Sequence, residues 1–462
     1  MVIRKMMLGL LVLGLAAAVA GLMSSPAFAA PRPTPVQLRL ASIPQDKVLM
    51  LQLTIGSLSF KATDGSVTTL ISDPTTIEVA HLGNDSEPFL VGEMFPLKYT
   101  TATMTVTGAK LTYLRNGVPV QLTSTRAYTS TYIFRPAYAL PWTPAILNLQ
   151  IDVPATVVFT ASNGLANVYK PVFNVIPMGV TPDGQIPETG RVDHMVGEVT
   201  DATDIYFTVT DWETGAALTF NTDSNTHFVN ASPSTILGMT VAAYGSTNDD
   251  GSLLATEVDA LESATGAVVE GGSVRVLAGS QIGVVPQGGI GAGVPAGVAG
   301  AKVFVDAGAA SFQIDAHNTD MTGLESLQFD GASLALGQVV RAQSASQMQA
   351  GFSDYTGSMA ADTVSLEPQS LTGTVANYQA TSPNTASFDL ILPTDGSSGL
   401  KSMNPAVTSV HIFQQAGTDL LNLGGGIVNG MSVDVRGLLF FSTYPGSGPA
   451  KVFVMVAGRI VQ

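Results

Sequence analysis

Residues 238–245 read Gly-Met-Thr-Val-Ala-Ala-Tyr-Gly, and residues 430–437 read Gly-Met-Ser-Val-Asp-Val-Arg-Gly. Both stretches place two glycines at the same separation, and the segments around them recur in one order. In the first copy Gly197-Glu198-Val199 leads to Phe207-Thr208-Val209, Thr226-His227-Phe228, the 238–245 stretch and Ala255-Thr256-Glu257-Val258. In the last, Gly373-Thr374-Val375 leads to Phe388-Asp389-Leu390, Val410-His411-Ile412-Phe413, the 430–437 stretch and Val452-Phe453-Val454. A fainter middle copy runs Val303-Phe304-Val305, Phe312-Gln313-Ile314, Gly337-Gln338-Val339-Val340 and Ala361-Asp362-Thr363-Val364. Short runs of this kind, separated by Gly and Asx turns, are strands. About five or six per copy are too few for a stable open sheet but enough for a small closed barrel, which also removes exposed edges. The reading is three OB-like barrel modules at 195–262, 302–368 and 370–462, the middle one divergent. Residues 263–301, with the Gly-rich run Gln287 to Ala301, are expected to be a linker.

Upstream, residues 47–178 show strand alternation most clearly in Leu147, Leu149, Ile151 and Val153, interleaved with Asn148, Gln150 and Asp152. Asn116-Gly117 and Asn163-Gly164 sit between such runs, where the positive φ angles of hairpins are needed. No long amphipathic helix is apparent, so the fold class is all-β, with an N-terminal sandwich followed by the barrels. Pro31, Pro33, Pro35 and Pro44 make 30–46 an extended lead-in rather than a packed element, with folded structure beginning near Lys47.

Arg4 and Lys5 precede an apolar run from Met6 to Met23, and Ala27-Phe28-Ala29 follows as a small-x-small site. Residues 1–29 therefore read as a secretory signal peptide cleaved between Ala29 and Ala30. No second segment approaches the roughly 20 apolar residues of a spanning helix. The mature chain is expected outside the cytoplasm: periplasmic, cell-surface or extracellular. The 462 residues hold 35 acidic and 20 basic side chains and no Cys, for a net charge of -15. Zinc knuckles, disulfides, thiol catalysis and a lipid-modified Cys are excluded, and nothing offers a nucleic acid a basic footprint.

Residues 195–262 resemble an uncharacterised family of small secreted bacterial β-modules, a domain of unknown function often found in tandem. The match lies in Gly197, Val199, Phe207, Val209, Leu237, Val241, Gly245, Asp250, Gly251, Leu253, Ala255 and Val258. The last copy departs by insertions and lacks the Asp-Gly of the closing hairpin, while the middle copy shows no opening Gly. Residues 47–178 resemble a second uncharacterised family, an envelope β-sandwich domain usually carried by lipoproteins, through Leu51-Gln52-Leu53-Thr54, Ala109-Lys110-Leu111-Thr112-Tyr113 and Leu149-Gln150-Ile151-Asp152-Val153. The lipoprotein Cys is absent. Neither resemblance implies catalytic residues.

Several constellations compete with bland readings. Ser246, Asn248, Asp250, Gly251 and Glu257 have calcium-loop spacing, but their flanks read as strands and the stretch as a hairpin. Gly291-Ala292-Gly293 with Ala296 has dinucleotide-loop spacing without a βαβ unit, and is read as linker. Ser398 and Lys401 have Ser-x-x-Lys spacing without companion motifs, and are read as a surface loop. His81, His194, His227, His317 and His411 form no compact ligand set; His227 and His411 share one repeat position as strand residues. Trp142, Trp212, Tyr128, Tyr132 and Tyr138 are candidates for sugar stacking, with packing the preferred reading.

The expectation is thus an exported, non-catalytic protein for binding, adhesion or scaffolding, with a glycan or envelope protein as partner. No catalytic, cofactor or metal residue is assigned. The alternative is a polysaccharide hydrolase with noncontiguous carboxylates, since such pairs are defined by separation in space. A transmembrane barrel is disfavoured by short strands and the absence of periodic aromatic girdles.

Overall fold

The computed structural model describes residues 32–80, 82, 86–115, 118–159, 166–168, 170–178, 191–211, 217–247, 252–263, 266–286, 302–316, 319–382, 384–395, 397–421, 423, 425–444 and 447–462. The expected signal peptide and its Ala29/Ala30 cleavage point lie outside these residues. So do both Asn-Gly turns, His81, Trp212, Asn248 to Gly251, the run from Gln287 to Ala301 and His317.

The described chain is almost entirely strand. Its first part contains β1 (Thr34–Ile43), β2 (Val48–Ala62), β3 (Val67–Ile71), β4 (Thr75–Glu78), β5 (Ser86–Met94) and β6 (Lys98–Arg115). There follow β7 (Val118–Ser124), β8 (Tyr128–Ala139), β9 (Ala145–Asp152), a single-turn α1 (Val153–Thr156), β10 (Val157–Phe159), β11 (Ala166–Val168) and β12 (Val172–Met178). One sheet has the order β12-β9-β1-β5; the other has β3-β2-β6-β7, with β4 also on β2 and β8 also on β6. Leu38 and Leu40 from the first sheet share one core with Leu53, Phe60 and Met104 from the second. Alternation along each strand supplies that inward face.

The Pro-rich lead-in needs correcting. Thr34 to Ile43 is not an unpacked entry but an interior strand, antiparallel to β5 and parallel to β9. Val36 and Leu38 are fully buried. Proline is tolerated at the beginning of a strand, and after Pro35 the apolar residues fall on every second position.

Three groups of strands follow. The first is β13 (Arg191–Ala202), β14 (Tyr206–Asp211), β15 (Ala217–Asn221), β16 (His227–Val229), β17 (Thr240–Thr247) and β18 (Leu253–Ala260). After a short β19 (Glu262–Ser263), the second is β20 (Gly266–Ala278), β21 (Gln281–Pro286), β22 (Lys302–Asp306), β23 (Ser311–Ile314), β24 (Val339–Ser344), β25 (Gln349–Ala350), β26 (Tyr355–Ala360) and β27 (Thr363–Leu366). The third is β28 (Pro368–Ser382), β29 (Thr385–Ile391), the short α2 (Gly399–Met403), β30 (Ser409–Leu421), β31 (Ser432–Ser442) and β32 (Val452–Val461).

In the third group β28-β29-β30-β32-β31 is a closed barrel, with β31 returning to β28 and β30 parallel to β32. The pairings of the first group follow the same circuit, because β13 binds both β14 and β17, and β15 and β16 lie parallel to β18. They do so again in the second group, where β22 and β23 form a broken third strand parallel to a broken fifth, β26 and β27. This is the strand order of an OB-type barrel, first-second-third-fifth-fourth, with the third and fifth parallel.

The turn before the fourth strand shows why these sequences adopt it. Gly238, Gly337 and Gly430 have φ of 79°, 96° and 86°, in the left-handed region where a side chain is strained. Each glycine N–H donates to a valine carbonyl on the first strand: Gly238 to Val199, Gly337 to Val274 and Gly430 to Val375. The same valines donate back to Met239, Gln338 and Met431. Val274 belongs to Gly272-Ser273-Val274, so the first strand of this second group carries a Gly-x-Val of its own, well before Val303. Residues 263–301 are therefore not simply a linker, since Gly266–Ala278 and Gln281–Pro286 are the first and second strands of the second barrel. Val303 to Val305 and Phe312 to Ile314 belong to the third strand rather than to the first and second. Loss of regular apolar spacing at Gly271 and Gly272, where β20 changes register against β24, hid the true start.

Candidate functional site

The outward face of the second barrel carries a cluster of rings. Val303 and Val305 are fully buried in the barrel interior, so strand alternation turns Phe304 outward. The connection from the fourth to the fifth strand brings Phe352 and Tyr355 to it. Ring centroids lie 5.1 Å apart for Phe304 and Phe352, 5.6 Å for Phe304 and Tyr355, and 5.4 Å for Phe352 and Tyr355. A tight turn holds them there. A Cβ on Gly351 would meet the Tyr355 carbonyl oxygen at 2.0 Å, and Ser353 has φ of 56°. Phe352 is 50% exposed. Lys302 forms an ion pair with Asp354, and its Nζ lies 5.6 Å from the Tyr355 centroid. Across the strands, Phe304 pairs with Gly283 and with Ser358, while Asp306 pairs with Gln281.

The third barrel builds an equivalent cluster from His411 and Phe413 on its third strand and Tyr444 after its fourth. His411 stacks on Tyr444 at 4.5 Å, and Phe413 meets both edge-on at 5.0 and 5.7 Å. His411 Nδ1 lies 2.9 Å from Asp389 Oδ1, and Asn377 Nδ2 donates to the other carboxylate oxygen at 2.8 Å. This face is covered. Leu438, Phe440, Val454 and Val456 point away from their own barrel, yet are fully buried in a cluster with Leu327, Phe329 and Leu334 of the second barrel. Phe413 and Tyr444 pack on the same cluster, and Lys451 Nζ donates to the Ala332 carbonyl at 2.7 Å.

A group of buried and half-buried charges joins units of the chain to one another. Arg341 of the second barrel, 5% exposed, reaches Glu257 Oε1 at 2.7 Å, pairs with Asp259 of the first barrel, and lies 3.8 Å from Asp315. His227 Nδ1 stands 3.3 Å from the other Glu257 oxygen. Glu257, the last candidate ligand of the calcium spacing, is thus engaged by a cation and a histidine. Its flanks are strands, β17 and β18, as the hairpin reading expects.

A second junction gathers the sandwich and the last two barrels. Asp46 Oδ2 accepts from the Ser398 hydroxyl at 3.1 Å and the Leu400 N–H at 3.0 Å. Burial pushes the Asp46 carboxyl above its ordinary range, against these hydrogen bonds and the Arg275 charge. Burial likewise pulls Arg275 down to about 9, opposed by Asp46. Lys47 is lowered by burial, opposed by Asp46 and Asp395. Asp434 is pushed up to about 6 by burial, with Asp152 and Asp46 adding repulsion and Thr372 opposing through a hydrogen bond. Leu49, Leu114, Val285 and Met403 close the same junction with apolar contact. Ser398 and Lys401 are therefore not a surface loop. Ser398 is 3% exposed and caps α2, accepting the Lys401 N–H at 3.2 Å, because its side chain satisfies a helix-end donor.

The remaining candidates are dispersed. Trp142 is 73% exposed. Tyr132 and Tyr138 pack against the sandwich core, with Phe134 between them at 5.1 and 5.8 Å, while Arg126 covers Tyr128 at 5.1 Å. His194 lies in β13, and among the described residues no three His, Cys, Asp or Glu side chains gather as metal ligands. No described helix is long and apolar enough to cross a membrane. Sequence reasoning passed over Phe304, Phe352 and Tyr355 as a group. The available signal was Val303-Phe304-Val305 itself, in which alternation puts the large central ring on the opposite face from its neighbours.

No curated protein matches the chain. Among solved structures, a multidomain protein with nucleic acid binding domains from Streptococcus pneumoniae TIGR4 shares 11% identity over 57% of this chain and 72% of that chain, with a TM-score of 0.11. That likeness carries no argument. Residues 196–259, which run from β13 to β18, match the family described as Domain of unknown function (DUF5666).

Proposed function

We propose that this is an exported, non-catalytic binding protein in which three copies of one OB-like module follow an envelope-type sandwich. The first module belongs to the matched family, and the second and third are diverged copies of it. The repeated exchange between the turn glycine and the first-strand valine supports this kinship. The observation that carries the functional reading is the difference between outward faces: on the third module Phe413 and Tyr444 pack, partly buried, beside a wholly buried aliphatic patch shared with its neighbour, while on the second module Phe352 is half exposed. OB barrels bind ligands on this side of the fold, across the second and third strands and the fourth-to-fifth connection. The two carboxylates that burial raises, Asp46 and Asp434, and the arginine and lysine that it lowers, Arg275 and Lys47, serve junctions, which favours binding and scaffolding over hydrolysis.

The test is thermal unfolding of the mature chain from Ala30 with a panel of glycans and envelope proteins, alongside an assay for released sugar ends. A ligand that binds the folded state raises the transition by mass action. A rise without product supports the reading; product release overturns it in favour of a polysaccharide hydrolase.

A further inference from the structure

We propose that the open face of the second barrel is a binding site for an uncharged polysaccharide, with Phe352, Phe304 and Tyr355 as the stacking platform; this rests on the binding reading above. Phe352 presents a half-exposed ring, held by Phe304 edge-on at 5.1 Å and by Tyr355 tilted at 5.4 Å, and the C–H side of a sugar ring packs on an aromatic ring fixed in this way. Polar groups surround them at the spacing of the strands. Gln349 faces Ser358 across β25 and β26, and Gln281 faces Asp306 across β21 and β22. Hydroxyl-rich ligands need donors and acceptors at the rim of an apolar patch.

Charge selects among the occupants. Lys302 is paired with Asp354, and Asp306 adds another carboxylate, so the face is weakly acidic on a chain of net charge -15. Phosphodiester and polyanionic polymers are repelled. A protein occupant leaves a different signature, visible where the second barrel covers the third: four large apolar residues, Leu438, Phe440, Val454 and Val456, wholly buried against leucine and phenylalanine. Among the described residues the open face shows no such continuous patch, only rings set among polar side chains.

Affinity electrophoresis and calorimetry of the mature chain against neutral β-glucan, xylan and mannan test this, with alginate and single-stranded DNA as polyanions. The expected result is retardation by one neutral polymer, weakened about tenfold or more by Phe352→Ala, retained by Phe352→Trp, and unchanged by Trp142→Ala. Phe352→Ala should unfold cooperatively within a few degrees of the wild type and stay folded at the assay temperature, which separates lost binding from lost fold. Binding that survives Phe352→Ala but falls in Trp142→Ala overturns this site and leaves the wider reading standing. Preference for alginate or DNA overturns the ligand class. Absence of binding to every neutral polymer overturns the inference, while a transition raised by an envelope protein in the broader panel would still support a binding function.

Discussion

The second and third barrels close their strands in the same order and both set aromatic rings on the third strand and after the fourth. On the third barrel, the face around those rings continues into Leu438, Phe440, Val454 and Val456, and the connection between β23 and β24 lies over it. On the second barrel the corresponding rings have no such apolar surround among the described residues, and Phe352 stays half exposed. The difference teaches that this architecture offers a surface whose use depends on its outward residues. Continuous aliphatic cover converts it into a joint; isolated rings among polar groups leave it open.

The largest expected effect comes from breaking the covered face. Phe440→Ala should cost about 3 to 5 kcal/mol and expose the joint, read as a lower unfolding midpoint in denaturant and faster hydrogen exchange across 324–334. An unchanged midpoint would mean that the two barrels do not rest on one another. Arg341→Ala tests the joint between the first and second barrels. It leaves Asp259, wholly buried, without its arginine, and by comparison with other buried pairs should cost about 3 to 5 kcal/mol in thermal or chemical unfolding.

The sandwich junction should respond to pH in a way neither barrel face does. The Asp434 pKa is raised to about 6 in the folded chain, against an ordinary value of 3.8. The folded state therefore holds this proton more tightly than the unfolded state, and the associated stability is full below 3.8 and lost as pH rises to about 6. Asp434→Asn should stabilise the chain at pH 7.5 by at most about 3 kcal/mol and flatten the pH dependence between 4 and 6. An equal slope in wild type and variant would assign the effect elsewhere. Gly337→Ala combines a φ of 96° with a Cβ 2.6 Å from Leu400 Cδ1, and should lower stability by more than about 1 kcal/mol in the same unfolding measurement. Phe352→Ala on the open face should cost about 1 kcal/mol, because the half-exposed ring gives up its contacts with Phe304 and Tyr355, and this leaves the chain folded at the temperature of a binding assay.

Much of the fold was legible because its signals are local. Gly238 and Gly430 mark the turn that only a left-handed residue fits easily, and the strands beside them alternate cleanly. The second barrel was harder to read because Gly271 and Gly272 interrupt β20, which moved the apparent start of the module to Val303. Thr34 to Ile43 was hidden for the opposite reason, since its prolines resemble an extended lead-in until Val36, Leu38 and Leu40 are seen against β5 and β9. Of the candidate site, Phe304 was readable as an outward ring, whereas its partners Phe352 and Tyr355 lie about fifty positions later and meet it only when the fifth strand runs parallel to the third.

By itself, the sequence determined an all-β chain, the glycine-bearing turns before three fourth strands and the alternation that separates inward from outward residues. These follow from backbone sterics and the two-residue period of a strand, which act within a few residues. Only the tertiary structure decided that Ser398 is a buried cap against Asp46, that Glu257 and Asp259 are spanned by Arg341, and which of two similar ring clusters stays exposed. Those outcomes depend on contacts between segments tens to hundreds of residues apart, whose pairing is chosen by the closure of each barrel and the packing of one barrel on the next.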